Sequence, residues 1–263
     1  MATSAPAQTP PDPEASERGE RYLTLIEHLQ ELRYRVMMCS IAIVLGLAVS
    51  ALFADNFIDY LKEPAEDHRE GFQLQFIEPF ENFVVYFKVS LLGGVALAMP
   101  VIVYQVLRFV TPGLRGGERR WLVGTAVAAG GLFLAGVAFA YYVALPPALD
   151  FLLNFNDDLA QPNIRIGSYI DFVTRLLFWT GVTFQTPLLI MYLARFRIVR
   201  AGQLARWWRY ALVAIAVVAA IITPTIDPVT MGLVMAPMVI LYFVGIILAW
   251  IVQPRKAPTT GSG

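Results

Sequence analysis

The run VMMCSIAIVLGLAVSALFA, from Val36 to Ala54, carries no charged side chain. A helix of about 20 apolar residues crosses a hydrocarbon core about 30 Å thick, so this stretch predicts a membrane span. Further charge-free runs follow at Val89 to Leu107, Trp121 to Leu149, Leu176 to Ala194, Tyr210 to Ile226 and Pro228 to Pro254. The run before Asp227 offers only about 17 residues, roughly 25 Å of helix, and is read as a short span where the bilayer is thinned. An apolar hairpin that does not cross is the alternative there. The 263-residue chain is 57% hydrophobic and 15% charged, against about 25% charged in soluble domains. Its mean hydropathy is +0.59. The expected fold class is therefore all-α, a polytopic membrane protein with six transmembrane helices. Val36 begins too late, and too many runs follow it, for the first run to be a cleaved leader.

Net charge is zero, with 20 basic and 20 acidic residues, which excludes the strongly basic surface of a nucleic-acid binder. Placement is more informative than the sum. Segments before the first span, between the second and third, between the fourth and fifth, and after the sixth together hold 15 basic and 7 acidic residues. The alternate segments hold 5 basic and 13 acidic residues. The positive-inside rule then puts both termini in the cytoplasm. A single cysteine, Cys39, and two histidines rule out an intramolecular disulfide and a Cys/His zinc cluster, so neither a metal nor a cofactor is expected.

Residues 1–20 lack a periodic apolar face and read as a tail, residues 21–253 as the transmembrane domain, and residues 254–263 as a second tail. From Tyr22, the spacing of Leu25, Leu29, Leu32 and Val36 predicts an amphipathic helix running into the first span. On it, Glu31 is either a solvent-exposed i,i+4 partner of Arg35 or a ligand-facing acid. The outer loop 55–88, with Pro64 and the Glu78-Pro79-Phe80 turn, is long enough for a folded cap carrying short helices. Phe80 and Phe83 either pack that cap or meet a partner. In the second outer loop, 150–175, Ser168 is expected to cap the fourth helix.

Pro100, Pro187 and Pro237 lie inside hydrophobic runs and Pro146-Pro147 near the end of another, so bent or interrupted helices enclosing a concavity are expected. Gln185 is an amide in the middle of the fourth run, where it must face protein or a wet cavity. It carries no titrating proton, which counts against a self-contained proton pump. Asp227 sits in the Pro224 to Pro228 turn as a local capping carboxylate or, secondarily, a functional contact. Glu118 is the lone acid among Arg108, Arg115, Arg119 and Arg120, and an internal salt bridge would suffice to explain it. No phosphate loop, hydrolase elbow or HExxH motif is present, so the chain is not read as an enzyme. A secondary transporter for a small anionic or amphipathic solute is the best reading from another class.

The segment His28-Leu29-Gln30-Glu31-Leu32-Arg33 resembles the opening signature of the TatC family, the polytopic component of the bacterial twin-arginine protein translocase. Phe76 to Glu81, Pro100 to Gln105, Pro112-Gly113-Leu114 with Glu118-Arg119-Arg120, Phe139 to Tyr142, Phe184 to Pro187, and Thr223-Pro224 with Asp227 look like further family signatures in the same order. The resemblance extends from about Tyr22 to Trp250. It implies a subunit of the bacterial inner membrane that recognises paired-arginine signal peptides and assembles with itself and with single-span TatA-like and TatB-like subunits. Folded proteins would then be exported by the proton motive force. The resemblance further implies that Glu31 and Glu118 bind the signal peptide, with Arg33, Arg119 and Arg120 in support. The cap around Pro64 and Phe80, with the bent fourth helix, would bound a groove for the peptide's apolar part. Gln185 stands where the family often has glutamate, keeping polarity and removing charge.

Overall fold

Helix α1, Pro13–Ala51, is continuous from the amphipathic segment through the first charge-free run. Its start lies within the stretch read as an amino-terminal tail. The computed structural model describes residues 13–67, 75–110, 116–154, 165–222 and 228–253. Among them, all regular structure is helical apart from an isolated bridge between Gln75 and Arg165. Helix α2, Ala54–Asp67, forms the anticipated cap, and α3, Glu81–Val110, returns across the bundle. A third span is built from α4, Gly116–Phe139, a π turn at Ala140–Ala144 and α5, Leu145–Asn154. The fourth comprises α6, Ile166–Thr183, and α7, Thr186–Arg195. A short α8, Ala201–Arg206, leads to α9, Trp208–Ile222, and α10, Pro228–Val252.

Five of these stretches are long and apolar enough to span a membrane: Ile26–Ala51, Glu81–Val110, Trp121–Phe151, Ile166–Arg195 and Thr230–Val252. Helix α9 is apolar but has 15 residues, only about 22 Å at 1.5 Å per residue. Side chains such as Val44, Leu45, Val213 and Ile251 stand exposed. A water-facing protein could not tolerate so much apolar surface, whereas in hydrocarbon it is the ordinary outer face.

The prolines act differently from one another. Pro100 and Pro237 are carried inside the helices α3 and α10 without interrupting them. At Pro187 the fourth span does break, between α6 and α7, and Pro187 occupies the opening turn of α7, where a missing N–H costs least. Pro146 and Pro147 cannot donate to the carbonyls four residues earlier. Just before them the ladder slips into the π turn, where the Leu145 N–H donates to the Ala140 carbonyl. Ser168 does not cap the fourth helix: α6 starts earlier, at Ile166, with Arg165 in the cap position. The determinant is a backbone bond from Ile166 N to the Gln75 carbonyl, 3.1 Å long, which a local reading of the loop could not reveal.

Backbones meet directly where α1 crosses α3. A Cβ placed on Gly94 would lie 2.6 Å from the Leu47 nitrogen and 2.7 Å from its α-carbon. No side chain fits at that point, so the two helices pack at the distance that glycine alone permits. The chain turns after α7 with a non-glycine residue in the left-handed region, Arg197 at φ 60°. Arg197 N donates to the Ala194 carbonyl and Ile198 N to the Leu193 carbonyl, the paired bonds of a Schellman closure. Arg197→Gly should therefore raise stability by about 0.5–1 kcal/mol, read as a higher midpoint of thermal unfolding in detergent.

The cap is tied to the bundle by phenols. Pro64 lies inside α2 and has no N–H for the Tyr60 carbonyl one turn earlier. The Tyr141 hydroxyl donates to that carbonyl instead, at 2.8 Å. Tyr169 donates to the next carbonyl, Leu61, at 2.7 Å, and just before the cap Tyr86 of α3 donates to the Ala51 carbonyl that ends α1. Tyr141→Phe should cost about 1–2 kcal/mol, because it removes the donor that stands in for the N–H Pro64 lacks. Pro64→Ala restores such a donor, so the same Tyr141→Phe change should cost distinctly less in that background. A double-mutant cycle on unfolding midpoints checks this, and equal costs in both backgrounds would refute the substitution of phenol for amide.

Glu81, 4% exposed at the start of α3, fastens the second outer segment. Its carboxylate accepts backbone N–H groups from Ile77 at 3.0 Å, Glu78 at 3.2 Å and Gly167 at 2.6 Å. The Arg165 Nε faces it at 3.2 Å as an ion pair, and Arg165 Nη1 reaches Glu78 at 2.6 Å. Below this clamp, Lys88 of α3 meets Asp171 of α6 at 2.7 Å. The signature that includes Glu81 thus holds the start of α3 against the start of α6.

Candidate functional site

At the end of the bundle opposite the cap, α1 lies along the last turns of α3. His28 stacks on Phe109 with ring centroids 4.5 Å apart. One turn further along α1 stands Glu31, and one turn after that Arg35, which is buried. Arg35 Nη2 donates to Glu31 Oε1 at 2.7 Å, and Nη1 donates to Gln105 Oε1 at 2.9 Å. The i,i+4 pair anticipated from the sequence exists, but it is not a solvent-exposed pair. It is the near half of a clasp between helices, and Gln105 is its far half. Arg35 must lose water to sit there, and its two hydrogen bonds, each worth about 1.5–3 kcal/mol when one partner is charged, offset that loss.

The clasp leaves Glu31 partly open. Its side chain is 32% exposed, and its Oε2 has no partner among the described residues. A carboxylate held by one oxygen and open at the other is oriented without being consumed. It can accept a second guanidinium through a charge-assisted hydrogen bond. Arg33 lies exposed two residues away.

Glu118, Arg119 and Arg120 fall in the first turns of α4, which five residues of chain separate from the end of α3, and their side chains lie outside the described residues. Trp121 follows them and stacks against Tyr192 of α7, with centroids 5.6 Å apart. Asp227 also lies outside the described residues. Pro100 packs at the crossing of α3 with α4, where a Cβ on Gly130 would lie 2.8 Å from its Cγ. Phe80 is 78% exposed beside the cap, away from the clasp. The acids and the cap residues therefore belong to opposite ends of the molecule.

Gln185 is 4% exposed at the break in the fourth span. Its Nε2 donates to the Ala129 carbonyl of α4 at 3.0 Å, while Oε1 has no hydrogen-bond partner. It faces protein, as its depth demands. Sequence reasoning missed Gln105 and Glu81 as organising groups. A signal for Gln105 was available: an amide near the end of an apolar run needs a partner, and Arg35, at the start of the apolar run of α1, supplies one.

The helices and their exposed apolar faces define a polytopic all-α membrane protein whose charged clasp and capped end lie at opposite poles. A family profile described as Sec-independent protein translocase protein (TatC) matches residues 27–237, and the chain belongs to that family. A TatC from Koribacter versatilis is 34% identical over 246 residues, covering 92% of this chain and 90% of the relative. The chloroplastic TATC of Arabidopsis thaliana is 35% identical over 234 residues, covering 89% of this chain and 67% of the relative. A crystal structure titled Twin Arginine Translocase Receptor- TatC superposes with a TM-score of 0.75 at 33% identity, over 86% of this chain and 99% of that one. A second, in DDM, gives 0.76 at 35% identity, over 84% and 99%. The family is one of translocase receptor components rather than enzymes. The small-solute transporter reading finds no support among these relatives.

Proposed function

We propose that this chain is the receptor subunit of a twin-arginine translocase, binding the paired-arginine region of signal peptides through Glu31 and Glu118. The observation that carries this reading is the carboxylate of Glu31, oriented by Arg35 through Oε1, partly exposed, and without a partner at Oε2 among the described residues. Guanidinium is its favoured ligand, because it is more weakly hydrated than a lysine ammonium and its rigid donors lose less freedom for each hydrogen bond formed. An incoming arginine can use Oε2 without first displacing Arg35. Glu118, in the opening turns of α4, supplies the second acid. Arg33, Arg119 and Arg120 act indirectly, shaping the field around the acids rather than attracting a cationic peptide. The cap around Pro64 and Phe80 and the broken fourth helix bound the path of the peptide's apolar part, with Gln185 as a neutral polar contact.

In this reading the chain lies in a bacterial inner membrane with both termini in the cytoplasm, as its basic residues favour. Single-span TatA-like and TatB-like subunits and further copies of the chain complete the passage for folded cargo, driven by the proton motive force. Photoreactive residues placed beside Glu31 and Glu118 test the reading. An Arg-Arg signal peptide should crosslink there strongly and a Lys-Lys peptide weakly, at equal partner levels. Equal crosslinking of both, unaffected by replacing either acid, would refute it.

A further inference from the structure

The turn and short helix that join α7 to α9 carry five arginines within 15 residues, Arg195, Arg197, Arg200, Arg206 and Arg209, and no acid stands between Asp171 and Asp227. All five are exposed, and none has an ion-pair partner among the described residues. Like charges so placed repel one another, and a bound anion would relieve that repulsion. The helix dipole accounts for Arg195 and Arg206, in the last turns of α7 and α8. It does not account for Arg197, whose φ of 60° is a conformation that glycine adopts at less cost. An arginine held there at the expense of stability points to a use for its charge.

The segment is pinned to the bundle. The Tyr242 hydroxyl of α10 donates to the Leu204 carbonyl at 2.8 Å, and Ala201 N donates to Gln253 Oε1 at 3.4 Å. Just beyond α8, Trp207, Trp208 and Tyr210 stand exposed, and the Arg209 guanidinium lies over the Trp208 ring, 5.7 Å from its centroid. Position decides what the anion is. Along α9, Arg209, Val213, Val217 and Ile221 recur every fourth residue, so they share one face. The three apolar members are 66%, 55% and 63% exposed, a face that in a bilayer meets acyl chains. A lipid whose chains lie along it brings its phosphate to the level of Arg209. Exposed tryptophan and tyrosine favour that same level. Guanidinium pairs with phosphate oxygens through its fork of donors. A zwitterionic headgroup would carry its ammonium into a patch with no carboxylate to receive it, whereas a phosphatidylglycerol headgroup brings only negative charge.

We propose that the connection from α7 to α9 is a docking surface for anionic phospholipid, with Arg197, Arg200, Arg206 and Arg209 on the phosphates and the acyl chains along Val213, Val217 and Ile221. The bound lipids neutralise the patch and hold the start of α9 at the membrane interface. This proposal does not rest on the receptor reading, since it requires only that the exposed face of α9 meets lipid.

The test uses the full chain with Trp121, Trp179 and Trp250 changed to Phe, which leaves Trp207 and Trp208 as its tryptophans. It is reconstituted in phosphatidylcholine vesicles doped with either phosphatidylglycerol or phosphatidylcholine brominated on the acyl chains near the headgroup, at equal mole fraction. Brominated lipid bound beside the two rings quenches their fluorescence. Apparent affinity for the phosphatidylglycerol should exceed that for the phosphatidylcholine at least about fivefold, the preference expected of a single arginine at an anionic surface. Arg200→Gln, Arg206→Gln and Arg209→Gln combined should bring the ratio close to unity. Arg197→Gly should lower it about twofold to fivefold while raising the unfolding midpoint, a combination that a merely structural role would not produce. Lys62→Gln, on the cap, is the control and should leave the ratio unchanged. Equal quenching by the two lipids overturns the proposal, and so does an equal loss of preference in Lys62→Gln. Reversal of the quenching by aqueous glycerol phosphate also overturns it, by marking a site for a soluble anion. If the triple variant does not fold, Arg197→Gly decides alone.

Discussion

Gly94→Leu is expected to leave almost no folded protein in the membrane. A Cβ at that position would lie 2.6 Å from a backbone nitrogen and 2.7 Å from an α-carbon of α1, and neither atom can rotate away as a side chain would. Relief requires the two helices to part along the crossing. Overpacking usually costs about 1–3 kcal/mol when neighbours can shift, and here the neighbours are main chain, so the cost should exceed about 3 kcal/mol. Separation would also pull Arg35 from Gln105, because the same two helices carry the clasp. Gly131→Ala is the matched control. Nothing lies within 4 Å of a Cβ built there, so its effect should stay within about 0.5 kcal/mol of neutral. Protease-resistant protein in isolated membranes reports both outcomes, and a normal yield of Gly94→Leu would show that the crossing is far more yielding than its geometry allows.

Glu31→Gln should lower affinity for an Arg-Arg signal peptide about tenfold to a hundredfold, the equivalent of one charge-assisted hydrogen bond. Affinity for a Lys-Lys peptide should change less, since a lysine ammonium is more strongly hydrated and gains less from the contact. The preference for arginine should therefore collapse more than binding itself. Arg35→Gln separates recognition from folding. It leaves Glu31 without its anchor and Gln105 without its buried donor, and should cost about 1–3 kcal/mol in stability. It nevertheless leaves a carboxylate at the surface, and so some preference for arginine. Titration of both peptides against both variants in detergent, beside their melting curves, would distinguish these effects. If Glu31→Gln lowered only the melting temperature, the acid would be a structural partner of Arg35 and nothing more.

Much of this architecture could be read from charge-free runs, because a bilayer leaves backbone polar groups few solutions other than the helix. The brevity of α9 was visible too, in the distance from Arg209 to Asp227. The clasp was half legible: spacing along α1 pairs Glu31 with Arg35, whereas Gln105 is 70 residues away and becomes a partner only once α1 and α3 cross. The role of Glu81 was hidden for the same reason, since its donors come from Ile77, Glu78 and Gly167, and the last of these stands in the first turn of α6, 86 residues away. Prolines were read too uniformly. A proline inside an apolar run forfeits one hydrogen bond, but whether the helix breaks depends on what takes up the freed carbonyl. At Pro64 a tyrosine does so, and before Pro146 the ladder slips by one residue instead.

That slip at Ala140–Ala144 has a consequence for how the chain tolerates length changes. A π turn is in effect an α-helix with one residue inserted, and each α-helical residue advances the azimuth by about 100°. Deleting one residue within it would restore a regular ladder while rotating everything downstream, α5 included, by roughly a quarter turn relative to α4. The third span would be more regular and wrongly phased, with the Tyr141 phenol and the start of α5 no longer able to face their present neighbours together. At this point the protein keeps an irregular rung so that two halves of one helix can point in the directions their separate contacts require.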